Sequence, residues 1–136
     1  MNKNLSITSD RVTVTVLSDV PSSQDIAFKA IIVGDSGVGK SCLTMKAIKN
    51  TFTEGHNATV GFDFFTFCTL INEATSCKLQ IWDTCGQETY KSLITSFYRN
   101  TSLAMMVYSI DSQESFEHIK TWHRELKIQS SAHFCL

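Results

Sequence analysis

The sequence predicts an α/β fold, a mostly parallel sheet flanked by helices. Three observations predict it. The apolar run Phe28-Lys29-Ala30-Ile31-Ile32-Val33 leads directly into Gly34-Asp35-Ser36-Gly37-Val38-Gly39-Lys40-Ser41, a complete G-x-x-x-x-G-K-[ST] loop. A second strand-like run, Lys78-Leu79-Gln80-Ile81, ends in Trp82-Asp83-Thr84-Cys85-Gly86-Gln87-Glu88. From Phe28 onward the spacing of apolar residues switches between strand and helix periods, as alternating strands and helices require.

The elements follow in order. Val12, Val14 and Val16 alternate with Thr, which suits a strand within an otherwise polar start that holds the chain's only proline, Pro21. Phe28 to Val33 is the first strand of the α/β pattern. A helix is predicted from Ser41 to about Asn50, with Cys42, Met45 and Ile48 spaced along one face. Thr51 to Gly61 reads as a polar loop carrying Gly55 and Asn57. Phe62 to Ile71 and Cys77 to Trp82 read as strands joined by the hairpin connection Asn72-Glu73-Ala74-Thr75-Ser76. A short helix is predicted over Ser92 to Arg99. Leu103-Ala104-Met105-Met106-Val107-Tyr108 is a continuous apolar run, expected of a strand buried on both faces. Asp111 or Ser112 can cap the next helix, whose expected buried stripe is Phe116, Ile119, Trp122 and Leu126. His133 to Leu136 begins a further strand.

The two motifs carry the chemistry. The glycines of the first let the backbone wrap closely, so that successive N–H groups converge on phosphate oxygens. Lys40 supplies a positive charge for β- and γ-phosphates, and the Ser41 hydroxyl can ligate Mg²⁺. A helix starting where the loop ends adds its positive dipole end to the anion site. In the second motif, Asp83 stands at the C-terminal end of a strand, where a carboxylate can hold Mg²⁺ through water. Gly86 permits close backbone approach to a γ-phosphate. Gln87 is placed to orient an attacking water, and as a neutral group it positions rather than deprotonates. A glycine-rich turn arising by chance, with Asp83 as a helix cap and Gln87 as a solvated loop residue, would not explain the strand-loop-helix context or the pairing of the two motifs.

Composition narrows the class further. A chain of 136 residues has length for one domain with a real core. Its formal charge of −1 offers no electrostatic case for nucleic acid or an anionic membrane. Five cysteines, at 42, 68, 77, 85 and 135, lack metal-ligand spacing and read as reduced intracellular thiols acting as small core residues. No apolar run reaches membrane-spanning length and the polar start has no signal-peptide pattern, so a cytoplasmic setting is expected.

Asp-x-x-Gly-Gln paired with the phosphate loop resembles the Ras-like small GTPases. Finer blocks resemble their Rab branch: Thr59-Val60-Gly61-Phe62-Asp63-Phe64, Lys78 to Thr84, Tyr90 to Asn100, and Ser115-Phe116-Glu117-His118-Ile119-Lys120-Thr121-Trp122. The resemblance runs from about Phe28 to the last residue. It implies a partial P-loop GTPase domain over 27–136, preceded by a mobile polar extension over 1–26. It implies GTP or GDP with Mg²⁺ held by Gly34 through Cys42, by Thr59 through its hydroxyl and backbone N–H, and by Gly86. It also implies that Phe52 is set edge-on to guanine, the alternative being a core aromatic. Thr51 to Gly61 and Gly86 to Phe97 would be switch segments ordered by the γ-phosphate. Exchange factors, GTPase-activating proteins and effectors would read Phe64, Trp82, Phe97 and those segments, although each aromatic taken alone also suits a half-buried core position. The implied role is a GTP-hydrolysing switch in vesicle traffic.

Several departures qualify what the resemblance implies. The family's guanine-reading Asn-Lys-x-Asp block would follow the strand beginning at His133, and the sequence stops before it, so a domain incomplete at its C-terminus is expected. A truncated fragment that binds Rab partners without stable guanine-nucleotide binding is therefore the alternative reading. An ATP-using P-loop enzyme is disfavoured because nothing in the sequence reads adenine. Membrane anchoring is expected of the family, at the cytosolic face of endomembranes in a longer prenylated form. Within this sequence His133 stands where a C-a-a-X cysteine belongs, and Cys135 reads as a strand residue. Cys85 replaces the usual Ala, Thr89 the usual Arg, and Ser109 a frequent Asp.

Overall fold

The computed structural model describes residues 6–9, 12–17, 21, 23–52, 59–86 and 96–129. Their elements are β1 (Ser6–Ser9), β2 (Val12–Leu17), β3 (Ile26–Val33), α1 (Lys40–Lys49), β4 (Phe62–Ile71), β5 (Thr75–Thr84), β6 (Leu103–Met106) and α2 (Gln113–Gln129). The strands form one sheet in the order β1-β2-β4-β5-β3-β6.

The sheet is mixed, and the division has a function. β3 lies between β5 and β6 and is parallel to both, with Ile32 opposite Asp83 and Val33 opposite Met106. Parallel pairing brings the C-terminal ends of the three strands abreast, and in open α/β sheets the crevice beyond those ends is where ligands bind. β3 is exposed where it begins and fully buried from Ala30 to Val33. Its apolar C-terminal half therefore anchors the loop at Gly34. β4 runs antiparallel to β5 through the turn at Asn72–Ala74, as the hairpin pattern predicts.

The extension expected to be mobile contributes two strands to the sheet. β1 and β2 pair antiparallel, and β2 adds to the outer edge of β4, with Val14 opposite Ile71 and Leu17 opposite Cys68. Asn72 pins the junction: its N–H donates to the Thr13 carbonyl at 2.8 Å, and its side-chain oxygen accepts from the Thr13 N–H at 2.9 Å. The Val/Thr alternation makes the segment strand-competent, and an open edge of unpaired N–H and C=O groups gives it a partner.

Helix α1 begins after Gly39 and ends on Asn50, which adopts a left-handed conformation and donates its N–H to the Lys46 carbonyl. In α2 the cap is Ser112, whose hydroxyl accepts from the Ser115 N–H at 3.2 Å. The inward stripe differs from the expected one at its first position. Ser115 is buried and Phe116 is 56% exposed, with its ring edge-on to Tyr108 at 5.0 Å. Ser115, Ile119, Trp122 and Leu126 face the sheet, and capping at Ser112 sets that rotation. The core is Ile31, Val33, Cys85, Tyr98, Ala104 and Leu126, with Trp82, Met106 and Trp122 against it. β6 is buried on one face only, because α2 covers Ala104 while Met105 stays 47% exposed. Of the helix predicted over Ser92 to Arg99, only Ser96 and Phe97 are helical among the described residues. The strand predicted from His133 lies outside them.

Candidate functional site

The phosphate loop turns away from β3 at Gly34, where the backbone has φ of 147°. A Cβ there would overlap the Val107 carbonyl oxygen, so only glycine lets β3 turn out beside the end of β6. Lys40 then folds back over the loop. Its ammonium donates to the Gly34 carbonyl at 2.9 Å and the Asp35 carbonyl at 2.6 Å, and the residue is only 5% exposed. Burial pushes its pKa below the ordinary lysine range, opposed by the charges of Asp83 and Asp35. A buried ammonium of this kind has lost its water and gains strongly from an anion.

Two segments distant in sequence close the site. The Ser41 and Thr59 hydroxyl oxygens lie 2.8 Å apart, although 18 residues separate them. Asp83, at the end of β5, has no exposed surface. The hydroxyl oxygens of Ser41 and Thr59 are donors of the type a hard cation such as Mg²⁺ takes, and the Asp83 charge acts on Lys40 beside them. Gly86 lies so close to the loop that a Cβ would overlap the backbone of Asp35 and Ser36. The half-open cleft has a volume of about 120 Å³ and is lined by Ser36, Gly37, Gly39, Lys40, Ser41, Cys42, Thr59, Thr84, Cys85 and Gly86. Pockets that enclose a whole ligand measure roughly 300–1,000 Å³. The cleft among the described residues has room for part of such a ligand.

Comparison with known proteins agrees with this geometry. The Ras family model matches residues 29–136. The chain belongs to the Ras family. Within that family its sequence is Rab-like. It is 42% identical over 102 residues to GTP-binding protein ypt1 of Schizosaccharomyces pombe, a match covering 75% of this chain and 50% of the relative. It is 45% identical over 102 residues to GTP-binding protein ypt5 of the same organism, covering 75% and 48%. The chain thus spans about half the length of these curated relatives.

The structure of this Ras-family chain brings Gly34, Asp35, Ser36, Gly37, Val38, Gly39, Lys40, Ser41, Cys42, Thr59, Asp83 and Gly86 to one end of the parallel strands. Phe52 stands 66% exposed and is not part of the described core. Gln87 lies outside the described residues, as do 53–58 and 87–95, which make up much of the two expected switch segments.

The aromatic face is a single cluster. Trp82 lies 5.0 Å from Phe64, 4.9 Å from Phe97 and 5.2 Å from Phe62, centroid to centroid. Phe62 was not among the expected members. Its signal was available, since Phe62 and Phe64 alternate on one strand and so share a face. Lys29 was also missed: its ammonium donates to the Phe97 carbonyl at 2.5 Å and the Arg99 carbonyl at 2.9 Å, and sits 5.2 Å from the Trp82 ring. It thereby holds Phe97 against the sheet. Burial lowers its pKa.

Proposed function

We propose that this chain is a guanine-nucleotide switch that binds GTP and GDP, hydrolyses GTP slowly and acts in vesicle traffic at the cytosolic face of endomembranes. The observation that carries the reading is the meeting of the Ser41 and Thr59 hydroxyls, 2.8 Å apart, beside buried Lys40 and Asp83. A segment outside the phosphate loop reaches into the loop's own site, which is the arrangement a γ-phosphate-sensing switch needs. The printed names of the relatives, both GTP-binding proteins, favour guanine nucleotide over other phosphates.

In this reading the loop N–H groups and Lys40 bind the phosphates, and the exposed Phe52 ring lies beside the base. Ser41, Thr59 and Asp83 would hold Mg²⁺, which supplies charge to neutralise the phosphate oxygens. Gln87 would orient the attacking water. Loss of the γ-phosphate would release the Thr59 segment and, through Gly86, the segment that follows β5. Exchange factors, GTPase-activating proteins and effectors would read the change at Phe62, Phe64, Trp82 and Phe97. Among the described residues no arginine lines the cleft. Fast turnover would then need an arginine supplied by a partner.

The test is the nucleotide content of the purified chain in Mg²⁺, measured by chromatography after denaturation, with Lys40→Ala alongside. Stoichiometric GDP or GTP that disappears in the variant is the expected result, since no other residue replaces that buried charge. An empty wild-type chain would overturn the switch and leave partner binding as its activity.

A further inference from the structure

Asp35 does more than complete the phosphate loop. Its carboxylate is held by two side chains of α2: Oδ2 lies 2.6 Å from His118 Nδ1, and Oδ1 accepts from Trp122 Nε1 at 2.8 Å. His118 and Trp122 are four residues apart, hence on one face of the helix. Trp122 is also packed against the core, so the clamp is anchored in the sheet. The other side of Asp35 is equally engaged, because its carbonyl accepts from the Lys40 ammonium and its backbone abuts Gly86. One residue therefore joins α2, the phosphate-binding lysine and the segment after β5.

We propose that His118 and Trp122 are positioning residues for the nucleotide, clamping Asp35 so that the phosphate loop keeps its cradle, and that protonation of His118 tightens the clamp. The proposal rests on the nucleotide-binding reading above. An imidazolium-carboxylate bond is charge-assisted and stronger than its neutral counterpart. Among the described residues, the groups facing His118 are Asp35 from the loop and Glu114 and Glu117 from its own helix, with Lys40 acting on Asp35 from the far side. The hydrogen bond to Asp35 and its charge, with smaller contributions from the two glutamates, raise the His118 pKa above the ordinary 6.5. A raised histidine pKa sets the sign. The clamp is fully charged below about pH 6.5 and weakens as pH rises through the shifted value. By linkage, nucleotide binding weakens over that same interval, and weaker binding is expressed chiefly as faster release.

The experiment follows dissociation of a fluorescent GDP analogue from the 136-residue chain in Mg²⁺ between about pH 5.5 and 8.5. Wild type, His118→Asn and Trp122→Phe are compared. Asn at 118 does not titrate and replaces a side chain that is 48% exposed. Release from wild type should speed up about threefold to tenfold with rising pH, the scale of losing one charge-assisted bond. His118→Asn should release at about the rate that wild type reaches at high pH and lose that inflection, which separates it from titration of the nucleotide's own phosphates. Trp122→Phe keeps an aromatic ring without the N–H, and should release faster at every pH while preserving the inflection. An unchanged pH profile in His118→Asn overturns the proposal alone. A wild-type chain that holds no nucleotide at any pH overturns the nucleotide reading, and the proposal with it.

Discussion

Gly86 has no room for a methyl group. A Cβ there would meet the backbone of Asp35 and Ser36, and backbone yields less readily than the end of a flexible side chain. Gly86→Ala must therefore push the phosphate loop and the segment after β5 apart. We expect overpacking to cost roughly 1–3 kcal/mol of stability, and nucleotide affinity to fall by about tenfold or more as Lys40 and Ser41 lose register. Thermal melting and a nucleotide titration on the same preparation separate the two effects. Unchanged affinity would mean that the contact does not couple the loop to the segment after β5. Asp35 shows what residue-scale reading of sequence misses. Its place in the phosphate loop was plain, yet its partners His118 and Trp122 lie 83 and 87 residues away.

At the scale of elements, the addition of β2 to β4 is the departure from expectation with the clearest physical cause. Only Cys68–Ile71 of β4 are paired by β2, so the attachment is short and depends on its pin. Asn72 supplies two hydrogen bonds to Thr13 from a left-handed backbone, φ 49°, that asparagine tolerates better than most residues. Asn72→Ala removes the side-chain bond and adds backbone cost, together about 1–2 kcal/mol. Amide exchange in β2 should then quicken by about tenfold, with β3 and β5 unaffected. Equal protection in the variant would show that the strand pairing itself, without the pin, holds the hairpin. The α2 stripe teaches a related lesson. A period of 3.6 names a face to within one residue, and the cap at Ser112 chose Ser115 over Phe116.

The molecule as a whole has two unlike faces. The α2 side of the sheet is closed over its core, whereas Ile26, Phe28 and Met105 stay substantially exposed on the opposite face. Register places Ile26 and Phe28 on the same side of β3 as Ile32, which is opposite Met105, so the three share one surface. β6 is also the last strand of the sheet on that side among the described residues. An exposed apolar surface favours self-association. The purified chain should show concentration-dependent association by light scattering, and Phe28→Ser with Met105→Lys should reduce it several-fold without changing nucleotide content. A wild-type chain that stays monomeric across the accessible concentrations would sink this expectation.

The sequence by itself determined the α/β order, the strands flanking the phosphate loop, and the positions of Lys40, Ser41 and Asp83. These are legible because each is local: a loop motif fixes backbone shape within eight residues, and a strand's end fixes where its last carboxylate stands. Tertiary structure alone decided that the Val/Thr segment joins β4, that β6 is covered on one face, and that α2 grips the loop through Asp35. Those outcomes depend on which distant surfaces meet, and burial and edge pairing choose among partners that local periodicity leaves equivalent.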